Sequence, residues 1–303
     1  MLAIVVPYYK ITFFEATLRA LANQTNTKFK VYIGNDASLE NPDLLIEKYK
    51  EKFNFEYKVF DQNLGSVSLV QQWERCMEMV QNEEWLMILG DDDVVESNFV
   101  ASFYENLNEI ENLKINVVRY ATVVIDATGS QFTPIYKHPK LEKANDFYQR
   151  KFTNLTRSSL SEYIFRKDNL LKTKFRDFPL AWYSDLLAVL EVADYGIIFS
   201  INESIVSFRH SALNISSDPK SDKIKNVAAF EFYFLLLNEK SHNFSNFQKE
   251  LIFNSLEKTF LDNKKKVYFW KKFTILYFTN FYIKRYILFI YKIFRLVFKN
   301  SIK

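Results

Sequence analysis

The chain is poor in the residues that cross-link and punctuate a fold. It has one cysteine, Cys76, in 303 residues. A lone thiol forms no intrachain disulfide, which argues against a secreted disulfide scaffold and fits a reducing compartment. Cys76 falls in the apolar spacing Val70, Trp73, Met77, Val80, the place of a buried filler rather than a nucleophile. Glycine (5) and proline (6) are scarce, and no glycine signature for a nucleotide occurs. There is no G-x-G-x-x-G after the first apolar run and no G-x-x-x-x-G-K-[ST], which disfavours a dinucleotide oxidoreductase and a P-loop NTPase. No apolar run reaches the about 18 residues of an ordinary transmembrane helix. Met1–Pro7 has neither the basic n-region nor the length of a signal peptide, so none is expected. From Lys264 to Lys303 there is no acidic residue at all.

What is present is enough to build a core: 48% of residues are hydrophobic and 25% charged, both ordinary for a globular chain. The net charge of +4 hides an asymmetry. The last 40 residues carry 11 of the 40 basic residues, so the remaining 29 face all 36 acidic ones. The chain is an acidic body with a basic tail, and the two are read separately.

In the body, short apolar runs alternate with helical spacing. Strands are expected at Leu2–Val6, Phe29–Ile33, Phe55–Phe60 and Trp85–Leu89, with helices over Thr12–Ala22, Leu44–Phe53, Val67–Val80 and Phe99–Ile110. This β-α alternation predicts an α/β fold with a mostly parallel sheet covered by helices on both faces. Ligands of such sheets sit outside the carboxyl ends of the strands. Three such ends carry polar loops: Pro7-Tyr8-Tyr9, Asn35-Asp36-Ala37-Ser38 and Gly90-Asp91-Asp92-Asp93. Three consecutive carboxylates after a buried strand repel one another, and a divalent cation would offset their charge. A solvated acidic turn is the alternative for the triplet, and an Asx turn or helix cap for Asp36.

Taken together these motifs resemble family 2 glycosyltransferases of the GT-A (Rossmann-like) fold. Val5-Val6-Pro7-Tyr8-Tyr9 is similar to the family's opening strand. Asn35-Asp36-Ala37-Ser38 is similar to its Asp-Asp-Gly-Ser, with Asn and Ala replacing the first Asp and the Gly. Asn63-Leu64-Gly65 matches its Asn-x-Gly, and Asp91-Asp92-Asp93 its DXD-type metal motif. The resemblance spans roughly residues 2–215 and is of the bacterial surface-polysaccharide type. It implies a nucleotide-sugar site with Pro7, Tyr8, Tyr9, Asp36, Asn63, Gly65, Asp91 and Arg209. Asp36 would bind the base, and Asp91 the ribose or the metal. Mn²⁺ or Mg²⁺ would be held among Asp91, Asp92, Asp93 and His210, and which carboxylate ligates is left open. Ser184-Asp185, heading an expected helix, resembles the family's Glu-Asp motif, whose Asp is the catalytic base; a favourable charge in a first helical turn is the structural alternative. The family pattern Tyr-Arg-x-His-x-x-Asn-x-Ser is met by Arg209, Asn214 and Ser216, with His210 one residue early.

Farther along, Ile115–Ile125 reads as a strand, Gln131–Ser159 as a long polar loop, and Ser161–Leu171 as a helix. Ile224–Leu237 and Phe247–Leu261 also read as helices. In the tail, helical projection gathers Lys284, Arg285, Lys292, Arg295, Lys299 and Lys303 on one arc, with Ile287, Ile290, Ile293, Phe294 and Val297 largely outside it. Such a helix suits an anionic membrane surface. Its longest uncharged run, Phe273–Ile283, is too short to span. No nucleic-acid motif accompanies the charge, so no nucleic-acid partner is expected.

The expected organisation is a catalytic domain over 1–220, a helical extension over 221–263 and a membrane-associating tail over 264–303. The expected activity is an inverting, metal-assisted glycosyltransferase with a UDP-sugar donor and a glycan or lipid-linked acceptor. It would be cytoplasmic, peripheral on the inner face of the cell membrane. The alternatives are a sugar-nucleotide pyrophosphorylase, which lacks its glycine-rich loop here, and a non-catalytic membrane-associated glycan-binding protein.

Overall fold

The computed structural model describes residues 1–214 and 217–300, with side chains to 295. Two compact units divide the chain, Met1–Ser221 and Asp222–Lys303.

The first unit opens with the expected alternation: β1 (Leu2–Tyr8), α1 (Phe14–Ala22), β2 (Phe29–Asn35), α2 (Asp43–Tyr49), β3 (Phe55–Val59), α3 (Leu69–Met77), β4 (Trp85–Ile88), the two-residue β5 (Val94–Val95) and α4 (Phe99–Asn112). It continues with β6 (Val117–Ile125), β7 (Leu141–Lys143), α5 (Ala144–Phe152), β8 (Tyr163–Arg166), α6 (Lys167–Thr173), α7 (Ser184–Val192) and β9 (Ile197–Arg209). One nine-stranded sheet runs β3-β2-β1-β4-β8-β6-β9-β5, with β7 added against β9. Strands β1, β2, β3, β4, β6 and β9 point the same way, while β5, β7 and β8 oppose them. The β1 side chains alternate between two covered faces, so Leu2, Ile4 and Val6 pack with Phe14, Leu18 and Phe99 while Ala3 and Val5 are equally buried on the other side. A strand covered on both faces has no polar position, which is why these runs lack alternation.

Two expectations are corrected. Ser161–Leu171 is not one helix: it is a 3₁₀ turn, β8 and α6. Tyr163, Ile164 and Phe165 are fully buried between β4 and β6, and a short apolar run of this kind carries no period that separates strand from helix. Gln131–Ser159 is not a structureless loop, for it contains β7 and α5. Two of its charges, Glu142 and Arg150, are spent internally. The Glu142 carboxylate receives Arg119 of β6 at 2.7 Å and Arg150 of α5 at 2.6 Å, and Arg119 also donates to Ser200 Oγ of β9. The strand β9, which the sequence reading did not assign, is interrupted at Asn202-Glu203-Ser204, where its register against β6 shifts.

The second unit holds α8 (Asp222–Asn238), α9 (Asn246–Asn263), α10 (Val267–Thr279) and α11 (Ile283–Asn300). Phe260, Phe273 and Phe289 bring α9, α10 and α11 together, with centroids 4.3 Å (Phe260–Phe273) and 4.9 Å (Phe273–Phe289) apart. The basic arc expected on the tail is corrected at Arg285, whose guanidinium is drawn to α9 by Glu257 at 2.7 Å, Asn254 at 2.9 Å and Glu250. Ile290 and Ile293 are half-buried. Among its described apolar side chains α11 leaves exposed Ile283, Ile287, Leu288, Tyr291 and Phe294, with Lys284, Lys292 and Arg295 beside them. The side chains of Val297 and Lys299, and Lys303 altogether, lie outside the described residues. No helix among the described residues is long and apolar enough to cross a membrane.

The buried triad yields a stability prediction. Glu142→Ala leaves the Arg119 charge, fully buried, without its carboxylate and is expected to destabilise the protein by about 3–5 kcal/mol, read as a shift of the urea midpoint. A loss below about 1 kcal/mol, the value of a surface pair, would contradict the burial described.

Candidate active site

The co-directional strands deliver their carboxyl ends to one edge of the sheet, and a cavity of about 750 Å³ opens there. Pro7, Tyr8, Tyr9 and Lys10 reach it from β1, Asp36 from β2, Asn63 and Gly65 from β3, Gly90–Asp93 from β4, and His210 and Asn214 from β9. Because β8 runs against its neighbours, it is its amino end, Arg157–Ser161, that arrives at the same edge. Lys151 of α5 and Asp185 of α7 complete the wall.

Each carboxylate of the triplet is held by a different piece of chain. Asp91 Oδ2 accepts the backbone N–H groups of Tyr9 (2.8 Å) and Lys10 (2.9 Å). Asp92 Oδ2 accepts Asn214 Nδ2 at 2.9 Å. Asp93 is 3% exposed, and both its oxygens are taken, one by the Arg209 N–H at 2.8 Å and the other by Ser161 Oγ at 2.5 Å. Gly90 permits this packing, because a Cβ there would lie 3.0 Å from Asp92 Oδ1 and 3.1 Å from Asp93 Oδ2. Burial, and then the Asp92 charge, push the Asp91 carboxyl up to about 7, against the pull of the Tyr9 and Lys10 N–H groups. The same two causes raise Asp93, and burial raises Asp92.

Both Asp93 oxygens are thus engaged within the protein, and among the described residues no three His, Cys, Asp or Glu side chains converge as a ligand set. Two oxygens are left over: among the described residues, no other residue donates to Asp91 Oδ1 or Asp92 Oδ1. Two spare carboxylate oxygens of like charge in a desolvated turn fit a divalent cation of the kind bound by one or two carboxylates plus substrate phosphates. His210 is exposed on the same cavity with Nδ1 3.2 Å from Ser217 Oγ. Ser216, the last residue of the motif expected after α7, lies outside the described residues.

Arg209 is corrected. It does not line the cavity. Its guanidinium donates to the carbonyls of Asp92 (2.9 Å) and Asp126 (2.9 Å) and lies 4.7 Å over the Phe13 ring. It staples the acidic turn to the end of β6.

Asp36 has its carboxylate on the Leu64 and Gly65 N–H groups, both at 2.8 Å, and paired with Arg75. A Cβ on Gly65 would sit 2.5 Å from Asp36 Oδ2, so the missing side chain is what lets the loop after β3 close on the acid. Asn63 folds that loop by accepting the Ser66 N–H at 2.8 Å. Tyr8 is buried, its hydroxyl donating to the Glu40 carbonyl at 2.7 Å, whereas the Tyr9 ring is exposed.

Asp185 stands half-buried in the first turn of α7. Burial raises its carboxyl, partly countered by the Leu186 N–H and by the charges of Lys151 and Arg157. Lys151 is lowered by burial and supported most by Asp185. Lys151, Arg157, Ser161 and Arg75 escaped the sequence reading. Only Arg75 left a signal, as a cation at helical spacing beyond Ser68; the others belong to the insertion and to the opposed strand.

Against known proteins, residues 3–167 match the model of the family described as Glycosyl transferase family 2. No curated protein matches the chain in sequence. Among solved structures, S. aureus TarS (residues 1–349) in complex with UDP-GlcNAc superposes with a TM-score of 0.64 at 16% identity, over 86% of this chain and 72% of that one. GalNAc-T7 with UDP, GalNAc and Mn²⁺ superposes with a TM-score of 0.52 at 11% identity, over 88% and 57%. At these identities the likeness shows the fold, which is of the GT-A kind.

Protons and the acidic turn are linked. Asp91 and Asp93 bind protons more tightly folded than unfolded, so their contribution favours folding at low pH and is lost as pH rises from about 4 towards about 7. Asp92→Asn removes the like charge. It is expected to stabilise the metal-free protein at pH 8 relative to pH 5 by on the order of 1 kcal/mol, read from denaturation midpoints in the two buffers. An equal effect at both pH values would exclude the repulsion.

Proposed function

The chain belongs to glycosyl transferase family 2, and from that premise we propose that it moves a sugar from a UDP-sugar to a hydroxyl of a glycan or lipid-linked acceptor, with inversion at the anomeric carbon. The observation that carries this reading is the presence, on one cavity, of a buried acidic turn with two spare oxygens and of a separate carboxylate, Asp185, at a helix start. Family membership speaks against the pyrophosphorylase alternative.

In this reading the loop after β3 and Asp36 hold the nucleoside, and the turn Asp91–Asp92 faces the diphosphate. Mn²⁺ or Mg²⁺ held by Asp91 and Asp92, with His210 as a further candidate, would supply Lewis-acid neutralisation of the departing phosphate. The complexes of related folds with UDP, and of one with Mn²⁺, support the donor class and the metal. Asp185 accepts the proton of the acceptor hydroxyl as its oxygen attacks the anomeric carbon. Burial raises its proton affinity, which suits a base, while the charges of Lys151 and Arg157 favour its ionised form. A single displacement needs one carboxylate on the acceptor side and no covalent intermediate.

The same reading has the protein peripheral on the inner face of the cell membrane, through α11. Exposed Ile287, Leu288, Tyr291 and Phe294 would enter the interface while Lys284, Lys292 and Arg295 meet anionic headgroups. That location supports an acceptor carried on lipid.

Two outcomes are expected. Asp185→Asn should lower transfer by about 10²–10⁴-fold while leaving UDP affinity unchanged by calorimetry, and Asp92→Asn should remove the metal dependence of UDP binding; full transfer by the Asp185 variant would remove it as base. Lys284, Lys292 and Arg295 changed together to Gln should release the protein from phosphatidylglycerol vesicles at about 1 kcal/mol per charge. Unchanged sedimentation with those vesicles would end the membrane reading.

A further inference from the structure

The corner between α10 and α11 is closed by an unusual residue. The helix α10 ends in a left-handed cap. In it the Phe281 N–H donates to the Phe278 carbonyl at 3.3 Å and the Tyr282 N–H to the Tyr277 carbonyl at 2.8 Å. The residue whose backbone turns left-handed to make these two bonds is Phe281, with a φ of 59°. Glycine ordinarily fills this place, because a Cβ there is penalised. The packing of the cap is done by its neighbours. Tyr277 and Tyr282 both lie on the Phe253 ring of α9, with centroids 5.4 and 4.7 Å away.

The Phe281 side chain contributes little to that packing, for it is 88% exposed. A phenylalanine here strains the backbone and leaves apolar surface in water, and burial within the helical unit offsets neither. On each side of it Phe278 and Ile283 are exposed as well. Phe281, Lys284 and Leu288 border one shallow hollow of about 360 Å³, so the corner opens on the side of α11 that carries Lys284 and Leu288. Glu250, the acid on that hollow, is paired with Arg285. From Lys264 onward the chain has no acid at all. The surroundings of Phe281 are therefore apolar and cationic.

We infer that Phe281 is an anchor that enters the acyl region of an anionic bilayer, with Phe278 and Ile283 beside it. A ring exposed at the corner of two helices meets the hydrocarbon, while the nearby Lys284 reaches the headgroup phosphates. An anionic bilayer fits both parts, since the ring calls for an apolar phase and the cations for a negative surface. The left-handed backbone serves this end by keeping the ring out of the helical core. A helix that rested on the surface through its side alone would need no such residue at its start. The inference rests on the membrane reading above and adds to it the point of entry.

The test uses the full chain and sedimented vesicles of phosphatidylglycerol. Phe281→Gly is expected to raise the thermal midpoint in solution by about 2 °C, because it relieves the left-handed strain. The same variant should partition into the vesicles about tenfold more weakly, and Phe281→Leu should keep most of the wild-type partitioning. In Phe281→Trp, emission above the wild-type signal should shift to the blue on binding and be quenched by lipids brominated on the acyl chain. Partitioning of Phe281→Gly within about twofold of wild type would end the anchor and leave the membrane reading standing. A lowered midpoint in that variant would make Phe281 a structural residue and overturn the anchor too. Absence of wild-type binding would end the membrane reading and the anchor with it. Self-association that Phe281→Gly abolishes, without vesicle binding, would assign the corner to a second copy of the chain instead.

Discussion

The burial of three adjacent carboxylates is the constraint on which the site depends. Asp91, Asp92 and Asp93 leave β4 in a turn that burial deprives of water, and the Asp92 charge further raises the cost of ionising Asp91 and Asp93. Such a turn keeps its shape only if donors arrive from elsewhere. They come from the end of β1, from Ser161 ahead of β8, and from Arg209 and Asn214 at and beyond the end of β9. Segments more than a hundred residues apart are thereby fastened to one point. Among the described residues no other residue donates to the remaining oxygens, Asp91 Oδ1 and Asp92 Oδ1.

The cations of the site follow a similar logic. Arg209, the only one of them named by a motif, is consumed in fastening the turn to the carbonyls after β6. Those facing the cavity, Lys10, Lys151 and Arg157, come from the first loop, from α5 and from the segment before β8. Arg157 and Lys151 both weigh on Asp185. The insertion between β6 and β8 is thus part of the electrostatics of the crevice, and the buried Arg119–Glu142–Arg150 triad is what anchors it to the sheet.

The helical unit obeys a different economy. Its core is aromatic, and some of its cations are drawn inward by acids on α8 and α9, as Lys272 is by Glu231 and Arg285 by Glu257. Removing those two from the exposed charge leaves a narrower stripe, in which apolar side chains and the remaining bases share one face of α11.

Much of the first half was legible in the sequence because its signals are local. A buried strand between two helices writes itself as an apolar run, and the loops after β1, β2, β3 and β4 announce themselves by Pro7, Asp36, Gly65 and Asp91 at strand ends. That determined the fold class and which loops of the first half border the crevice. Only the tertiary structure decided their roles, since a carboxylate's role depends on which donors reach it. Asp93 has both oxygens engaged because Ser161 and the Arg209 N–H close on it, and those partners lie 68 and 116 residues away. The opposed strand β8 and the ordered insertion were equally out of reach. Pairing direction is fixed by long-range contacts that leave no period in the chain.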